Sequence, residues 1–292
     1  MRCGCCAKQS RIIGVLLLAS LLAACSAVKL AYNNLPELSY WWLDGYVDFD
    51  GAQTPRVRDE LAQLLDWHRR NELPKVVRLL QQAESLAGDD ITPAQVCEVG
   101  DAIRARLLAV AERAEPAGAE LALSLGDAQL QQLERKYAKV NDDYRKDWLA
   151  RSVARQQEKR YDQLLERSED FYGTLDRPQR ELLRQMVAQS AFSAQRVDAE
   201  RRKRQQEALV QLRGFRANQT PPAEVRAALH AYILRIADPL PGPWRTYQQA
   251  MLQEGCRNVA TLHNSTSAAQ RERAVRRLQA YQSDVQQLAS AP

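Results

Sequence analysis

Few side chains in this sequence have the type and spacing that chemistry at a site requires. His68 and Glu72 lie four residues apart, so a helix places both on one face, where they could offer a metal ion two ligands. The whole chain holds only 3 histidines, and no second pair of ligands lies nearby. The spacing therefore predicts a capping or ion-pair role for both residues, and we expect no metal site.

Sequence motifs of the common enzyme classes are absent. The chain contains no G-x-S-x-G elbow, no phosphate-cradling glycine-rich loop and no H-E-x-x-H pair. Its 12 glycines in 292 residues are few for a nucleotide site, and its carboxylates are spread over predicted helix surfaces. We therefore predict no catalytic residue and no cofactor. An enzyme is the least supported of the three classes of function considered below.

The thiol of Cys25 is the one side chain for which the surrounding sequence predicts a specific reaction. Basic residues precede the uncharged run 12–24, which is the order of regions in a secretory signal peptide. The run ends in Leu22-Ala23-Ala24-Cys25, which resembles the lipobox of bacterial lipoproteins. That resemblance implies that Cys25 receives a diacylglycerol, that residues 1–24 are removed, and that the new amino group is acylated.

An uncleaved membrane helix is the alternative for this region. Residues 12–28 are nearly long enough for it, because a spanning helix takes about 20 apolar residues. In a lipoprotein, two or three acyl chains together give a stable anchor, whereas one chain holds only marginally. Ser26 follows the cysteine, and by resemblance to the lipoprotein sorting rule a residue other than Asp there favours the outer membrane. We expect an outer-membrane protein that faces the periplasm.

Two cysteines remain once the signal is removed and Cys25 carries lipid. Cys97 and Cys256 form an even pair in a compartment that oxidises thiols. This favours a Cys97–Cys256 disulfide. Two separately buried thiols are the alternative, because sequence alone cannot place the two Cα atoms within bonding range.

The charge of the mature chain gives no reason to expect a nucleic-acid partner. The sequence holds 41 basic and 36 acidic residues, and removal of Arg2, Lys8 and Arg11 leaves a net charge of +2. We divide the chain into a signal peptide (1–24), a lipidated tether with an aromatic strap (25–50) and a helical domain (51–290).

Apolar spacing predicts an all-α fold, since no stretch alternates with a period of two. The longest predicted helix covers 127–172, with apolar residues three and four apart. Gly173 ends it, and a second long helix covers 178–215. Two long helices joined by so short a turn predict an antiparallel hairpin within a helical bundle.

Both predicted arms of the hairpin turn polar, over residues 151–160 and 196–206. Counting back equally from the turn sets these two stretches opposite each other. We predict a solvated surface with ion pairs between the arms. A surface for an anionic ligand is the alternative.

Three helix starts share a frame in which Gln follows an apolar residue by four positions. They are Ile91 to Gln95, Leu125 to Gln129 and Leu175 to Gln179. Thr92, Asp127 and Asp176 can accept from free backbone donors, so each frame predicts a helix start. Ser267 and Gln270 have the same capping-box spacing. The first frame also weakly resembles the LTxxQ motif of Spy-like envelope-stress chaperones, which are helical hairpin proteins.

Aromatic residues crowd the segment 35–49, which is predicted to form a short helix after Asn34. Trp and Tyr favour the headgroup level of a membrane, so the segment could form an interfacial belt beside the lipid. We favour the alternative, in which the rings pack on the helical body as an N-terminal strap.

The first half of the chain resembles a family of bacterial envelope lipoproteins of unknown function. The residues that carry the resemblance are Leu35-Pro36, Trp41-Trp42-Leu43-Asp44, Tyr46-Val47-Asp48, Gln53, Trp67-His68-Arg69 and Glu72-Leu73-Pro74. The likeness is densest over 25–74 and continues more loosely to about 290. It implies an envelope location and a mostly helical body, and it lends no catalytic residue.

Together these patterns favour a structural or interaction lipoprotein that presents a helical bundle to an envelope protein. A periplasmic chaperone-like binder is the second hypothesis and an enzyme the third. A concave apolar surface would favour the chaperone, and a closed pocket with convergent polar groups would favour the enzyme.

Overall fold

The computed structural model describes residues 29–291, which form a helical stretch over 29–33, eleven further α-helices and one π-helical segment (Arg145–Leu149) and contain no β-strand. The predicted all-α fold is confirmed. The predicted signal peptide and Cys25 lie outside the described residues. In chain order the helices are α1 (Leu35–Val47), α2 (Gln53–Asn71), α3 (Leu73–Leu86), α4 (Pro93–Ser124), α5 (Asp127–Tyr144), α6 (Val153–Tyr172), α7 (Arg177–Ala188), α8 (Ala194–Ala217), α9 (Pro222–Ala237), α10 (Pro243–Asn264) and α11 (Ala268–Ser290).

Within residues 29–291 the longest helix is α4, with 32 residues, and it is the centre of the bundle. It packs against α2, α3, α8, α9 and α10, while α11 covers α3 and α6. The predicted 127–172 helix is therefore not the longest element. The reason is that it is interrupted, as is the opposite arm of the hairpin.

The predicted hairpin turns at Gly173, where φ is +83° and an added Cβ would lie 3.1 Å from the Arg273 side chain. Helix α6 packs on α7, and α5 packs on α8. Each arm that was predicted as one helix is broken. Ser152 and Ser193 cap the helices that restart after the breaks, because each side chain accepts from the backbone N–H three residues on.

The two breaks in the hairpin face each other. Trp148 lies against Phe192 with ring centroids 5.4 Å apart, and the Tyr144 hydroxyl donates to the Ala194 carbonyl at 3.2 Å. The N–H groups of Ala191 and Ser193 at the second break donate to Glu254 and to the Tyr247 hydroxyl, both on α10. Periodicity predicts the packed face of such a helix but not the points at which it is interrupted.

Ion pairs on the polar stretch of α8 join residues of the same helix, which corrects the prediction of pairs between the arms. Asp198 accepts from Arg201 at 2.6 Å and from Arg202 at 2.8 Å. Pairs between the arms lie further from the turn, where Arg213 meets Glu134 at 2.7 Å. Residues three and four apart on one helix are already neighbours, so these pairs form without help from a second helix.

Reciprocal capping by a Gln three residues after the cap is complete at three predicted helix starts, at 92–95, 176–179 and 267–270. At the fourth predicted start the cap is Gly126, so Asp127 is the first helical residue and not the cap that we expected. At Gly126 only half of the box exists, since glycine has no side chain and Gln129 alone accepts from its N–H. The fifth box, at 50–53, was not predicted; there Asp50 and Gln53 each accept from the other's backbone N–H.

Four of these glutamines pair across helices. Gln129 donates to Gln53 Oε1 at 2.6 Å, and Gln53 donates back to Gln129 Oε1 at 3.2 Å. Gln53 also donates to the Ser124 carbonyl at 3.2 Å, and Gln129 to the Asp48 carbonyl at 3.1 Å. This first junction fastens the start of α2 to the start of α5.

The second junction repeats the arrangement between α7 and α11. Gln179 and Gln270 donate to each other at 2.8 and 2.9 Å. Gln179 reaches the Ser265 carbonyl at 2.9 Å and Gln270 the Thr174 carbonyl at 3.1 Å. In both junctions each Gln bonds the carbonyl two residues before its partner's cap, so the two sides are related by a local twofold axis.

We expect Gln179→Ala to lower the free energy of unfolding by about 2 kcal/mol, because Gln179 is buried and its loss removes the bonds to the Asp176 N–H, to Gln270 and to the Ser265 carbonyl. Gln270→Ala should be strongly coupled to it in a double-mutant cycle, measured by urea unfolding. Gln95→Ala is the matched control, since Gln95 caps α4 and no bond to another helix is seen. Equal losses at Gln95 and Gln179, or additive losses at Gln179 and Gln270, would contradict this account.

His263 joins the hairpin to the loop before α4. The residue is 2% exposed. Its Nε2 donates to the Asp89 carbonyl at 2.9 Å, and its Nδ1 accepts from the Tyr172 hydroxyl at 3.0 Å. Burial lowers the pKa of His263 below its ordinary value of 6.5, since desolvation disfavours the imidazolium.

Stability should therefore fall in mild acid. The unfolded chain binds a proton at His263 near its ordinary pKa of 6.5, whereas the native imidazole resists it. The contribution of His263 to the free energy of unfolding is complete above pH 6.5 and is lost as the pH falls below that value. We expect the free energy of unfolding, measured with urea between about pH 7.5 and about pH 5, to fall less steeply in His263→Gln than in the wild type. The difference in slope should correspond to about one bound proton. An equally steep loss in this variant would refute the assignment.

Candidate functional site at the N-terminal segment

The first described residues are fastened to the helical body. The Tyr32 hydroxyl bonds His68 Nδ1 at 2.8 Å, and Arg69 Nη2 donates to Asn33 Oδ1 at 3.0 Å. The Arg69 guanidinium also lies 5.8 Å from the centroid of the Tyr32 ring. We name Tyr32, Asn33, His68 and Arg69 the N-terminal clamp. Two of its members belong to the Trp67-His68-Arg69 stretch that carries the family resemblance.

Tyr32 and His68 of the clamp are half-buried, and both side chains are neutral near pH 7. Desolvation raises the pKa of Tyr32 to about 12 and lowers the pKa of His68 below 6.5. The nearby Glu72 carboxylate acts on His68 in the opposite direction but more weakly. A neutral imidazole and phenol can share one hydrogen bond without either group carrying a charge into the interface.

Glu72 sits at the corner between α2 and α3 and is fully buried, at 0% exposure. Its two carboxylate oxygens meet Lys75 Nζ at 2.6 Å and Arg106 Nη1 at 3.1 Å. The predicted break near Pro74 lies here, since α2 ends at Asn71 and Pro74 occupies the first turn of α3. The ion-pair role expected for Glu72 is present, and the partner Arg106 comes from α4.

His68 and Glu72 use different partners and do not form a metal site together. Within residues 29–291, no group of three or more His, Cys, Asp or Glu side chains is placed to hold a metal ion.

One face of α1 packs on the helical body. Tyr40, Val47 and Phe49 are buried in a cluster with Leu125 and Leu130. The Tyr40 hydroxyl also bonds Thr54 Oγ1 at 3.1 Å.

The opposite face of α1 is exposed and apolar. Leu35, Leu38, Trp41 and Trp42 are 41%, 54%, 63% and 63% exposed. Their spacing of three, three and one places them on one side of the helix. The aromatic segment is therefore divided, because Tyr40 packs inward while the tryptophans face outward. We name these four residues the exposed α1 face.

An open groove of about 430 Å³ lies beside α1, between α2 and α4. Apolar residues floor it, and charged residues stand along its edges. The floor includes Leu43, Val57, Leu61, Leu64, Ala117 and Leu121, and the edges include Arg56, Glu60, Arg113 and Glu120. We name it the α2–α4 groove. It is a concave apolar surface, not a closed pocket with convergent polar groups.

Of the predicted site residues, Cys25 lies outside the described residues, and the other two meet. Cys97 on α4 and Cys256 on α10 are disulfide-bonded, with Cα atoms 5.5 Å apart and 159 residues between them in sequence. The bond holds the C-terminal helices to the central helix. It lies on other elements than the clamp.

We expect Cys97→Ser and Cys256→Ser to destabilise the protein equally, and the double variant to be no worse than either. Closure of so long a loop contributes up to about 5 kcal/mol in the chain-entropy model. Urea unfolding measures the losses, and peptide mapping of unreduced exported protein detects the joined peptides. Two freely alkylatable thiols, or additive losses in the double variant, would contradict a disulfide in the cell.

Sequence reasoning missed Tyr32, Asn33 and Arg106. The only available signal was that Trp67-His68-Arg69 holds two hydrogen-bonding side chains on the last turns of a helix. Nothing in the sequence identifies their partners, which lie 34 to 36 residues away.

Among residues 29–291, no helix combines the length and apolar character that crossing a bilayer takes. The profile of DUF6279, a family of unknown function, matches residues 45–221, which is more than half of the chain. The match includes Glu72 and two clamp residues. No curated protein and no solved structure gives a significant match.

Proposed function

This chain belongs to the DUF6279 family, and from that premise we propose that it is a lipoprotein anchored through Cys25 to the outer membrane. It faces the periplasm, and its helical body acts as a structural or interaction module of the cell envelope. Its partners are the membrane and an envelope protein. We propose no enzymatic activity, no nucleic-acid partner and no cofactor.

The N-terminal clamp is the observation that carries this proposal. We expected a tether over the residues before Asn34, yet residues 29–33 are helical and clamped to α2. Lys29 is only four residues from Cys25, a reach of at most about 14 Å. A lipid on Cys25 would therefore hold the body close to the bilayer surface, which suits a module that acts at the membrane.

Two further features support this cellular location. Ser26 favours the outer membrane by the lipoprotein sorting rule. The Cys97–Cys256 bond suits a compartment that oxidises thiols, since cytosolic proteins seldom keep structural disulfides.

The α2–α4 groove favours a second candidate, a periplasmic chaperone-like binder of unfolded or envelope proteins. An open apolar floor with charged edges can accept an apolar segment of many sequences. The resemblance to the LTxxQ motif supports this candidate less, because Thr92 and Gln95 are fully used in capping α4.

The anchor is tested by replacing the nucleophile. We expect the Cys25→Ala protein to stay an unprocessed precursor in the inner membrane, since no thiol can receive the diacylglycerol. The wild-type chain should fractionate with the outer membrane and carry the mass of the acyl groups on a peptide beginning at Cys25. A Cys25→Ala protein that matures to the wild-type mass in the outer membrane would refute the lipoprotein assignment.

The same wild-type preparation separates the two candidates. If the protein is a chaperone-like binder, it suppresses the aggregation of a denatured model protein, and Leu61→Glu with Leu64→Glu in the groove abolishes this. Leu107→Glu is the control, since Leu107 is 66% exposed and does not line the groove. No suppression by the wild type would leave the interaction module as the only candidate.

A further inference from the structure

The exposed α1 face is unusual for a surface helix. Trp41 and Trp42 are each 63% exposed, although Trp is among the most apolar side chains and its ring is large. Leu38 continues the face at 54% exposure. Contiguous exposed apolar residues of this size mark an interaction surface.

Arg58 lies beside Trp41, and Lys136 lies beside Tyr46, whose ring contacts Trp42. The Arg58 guanidinium lies 5.9 Å from the Trp41 ring centroid, and Glu37 pairs with it at 3.3 Å. The Tyr46 ring lies 4.8 Å from the Trp42 ring, and Lys136 Nζ stands 5.1 Å from the Tyr46 centroid. Indole rings flanked by Lys and Arg suit the headgroup region, where rings sit among polar groups and cations meet phosphates.

The position of the face in the chain selects the occupant. Leu35 lies ten residues after Cys25, and the clamp holds the intervening residues 32 and 33 to the body. A lipid on Cys25 therefore places this face near the leaflet surface. The inner side of α1 is already occupied, because Tyr40 and Val47 are buried.

We propose that the exposed α1 face is a membrane-seating surface, in which Trp41 and Trp42 enter the headgroup region of a phospholipid leaflet beside Arg58 and Lys136. The lipid and this face together give the body two points of attachment, which fix its orientation on the leaflet. This inference rests on the proposed anchor for its biological setting. The contact itself belongs to the folded chain and needs no lipid on the protein.

The test uses chain 26–292 without lipid, which keeps every helix of the described fold, and vesicles of phosphatidylethanolamine and phosphatidylglycerol. We expect the protein to float with the vesicles. Trp41→Ser with Trp42→Ser should lower the partition coefficient about tenfold or more, because two large aromatic surfaces leave the interface. Brominated lipids should quench wild-type tryptophan fluorescence and quench that of the double variant much less.

The control is Leu107→Ser with Leu240→Ser, whose side chains are 66% and 70% exposed on other elements. This variant should bind as the wild type does, and circular dichroism should show that both variants keep the helical fold. A wild-type chain that fails to float, or a tryptophan variant that floats equally, overturns the proposal and leaves a protein partner as the occupant of the face. These outcomes are independent of the Cys25→Ala experiment, which tests the anchor alone.

Discussion

A buried carboxylate needs cationic partners to offset the loss of hydration, and Glu72 is such a carboxylate, buried where α2, α3 and α4 meet. Arg106 must come from the central helix and Lys75 from the next turn of the chain, so the pairing fixes the corner in one arrangement. Loss of one partner of a fully buried pair costs about 3–5 kcal/mol, and less where the cations are partly exposed, as they are here. His68 and Arg69 of the N-terminal clamp lie one turn earlier on α2, next to this corner.

A second constraint is shared by the five capped helix starts. A helix start that packs against other elements must satisfy its free N–H groups, and here a Gln does so with its oxygen. The amide nitrogen of the same Gln is left as a donor, which Gln53, Gln129, Gln179 and Gln270 use to join helix starts in pairs. One side chain thus both begins a helix and positions it against another, and the two junctions fix the starts of α2, α5, α7 and α11.

Local interactions could be predicted from the sequence, and the contacts between elements could not. The helix starts at Thr92 and Asp176 follow from residue type and spacing, because a capping box needs only four consecutive residues. The breaks before Ser152 and Ser193 were missed; at these breaks Trp148 contacts Phe192 across the hairpin. The same limit applies to the site: the His68 and Arg69 side chains were visible in the sequence, but Tyr32 and Asn33 gave no signal as partners. The aromatic segment was interpreted as one unit, whereas its residues divide between a buried and an exposed side of α1.

The central claim is that the residues following the anchor are part of the folded body and not a flexible tether. Amide hydrogen exchange of residues 29–47, in the mature protein held in phospholipid vesicles, tests it most directly. The account predicts that these amides are protected to about the same degree as those of α2, since the clamp and the buried side of α1 join the two segments. Exchange of residues 29–47 at the rate of an unstructured peptide, with α2 still protected, would contradict it.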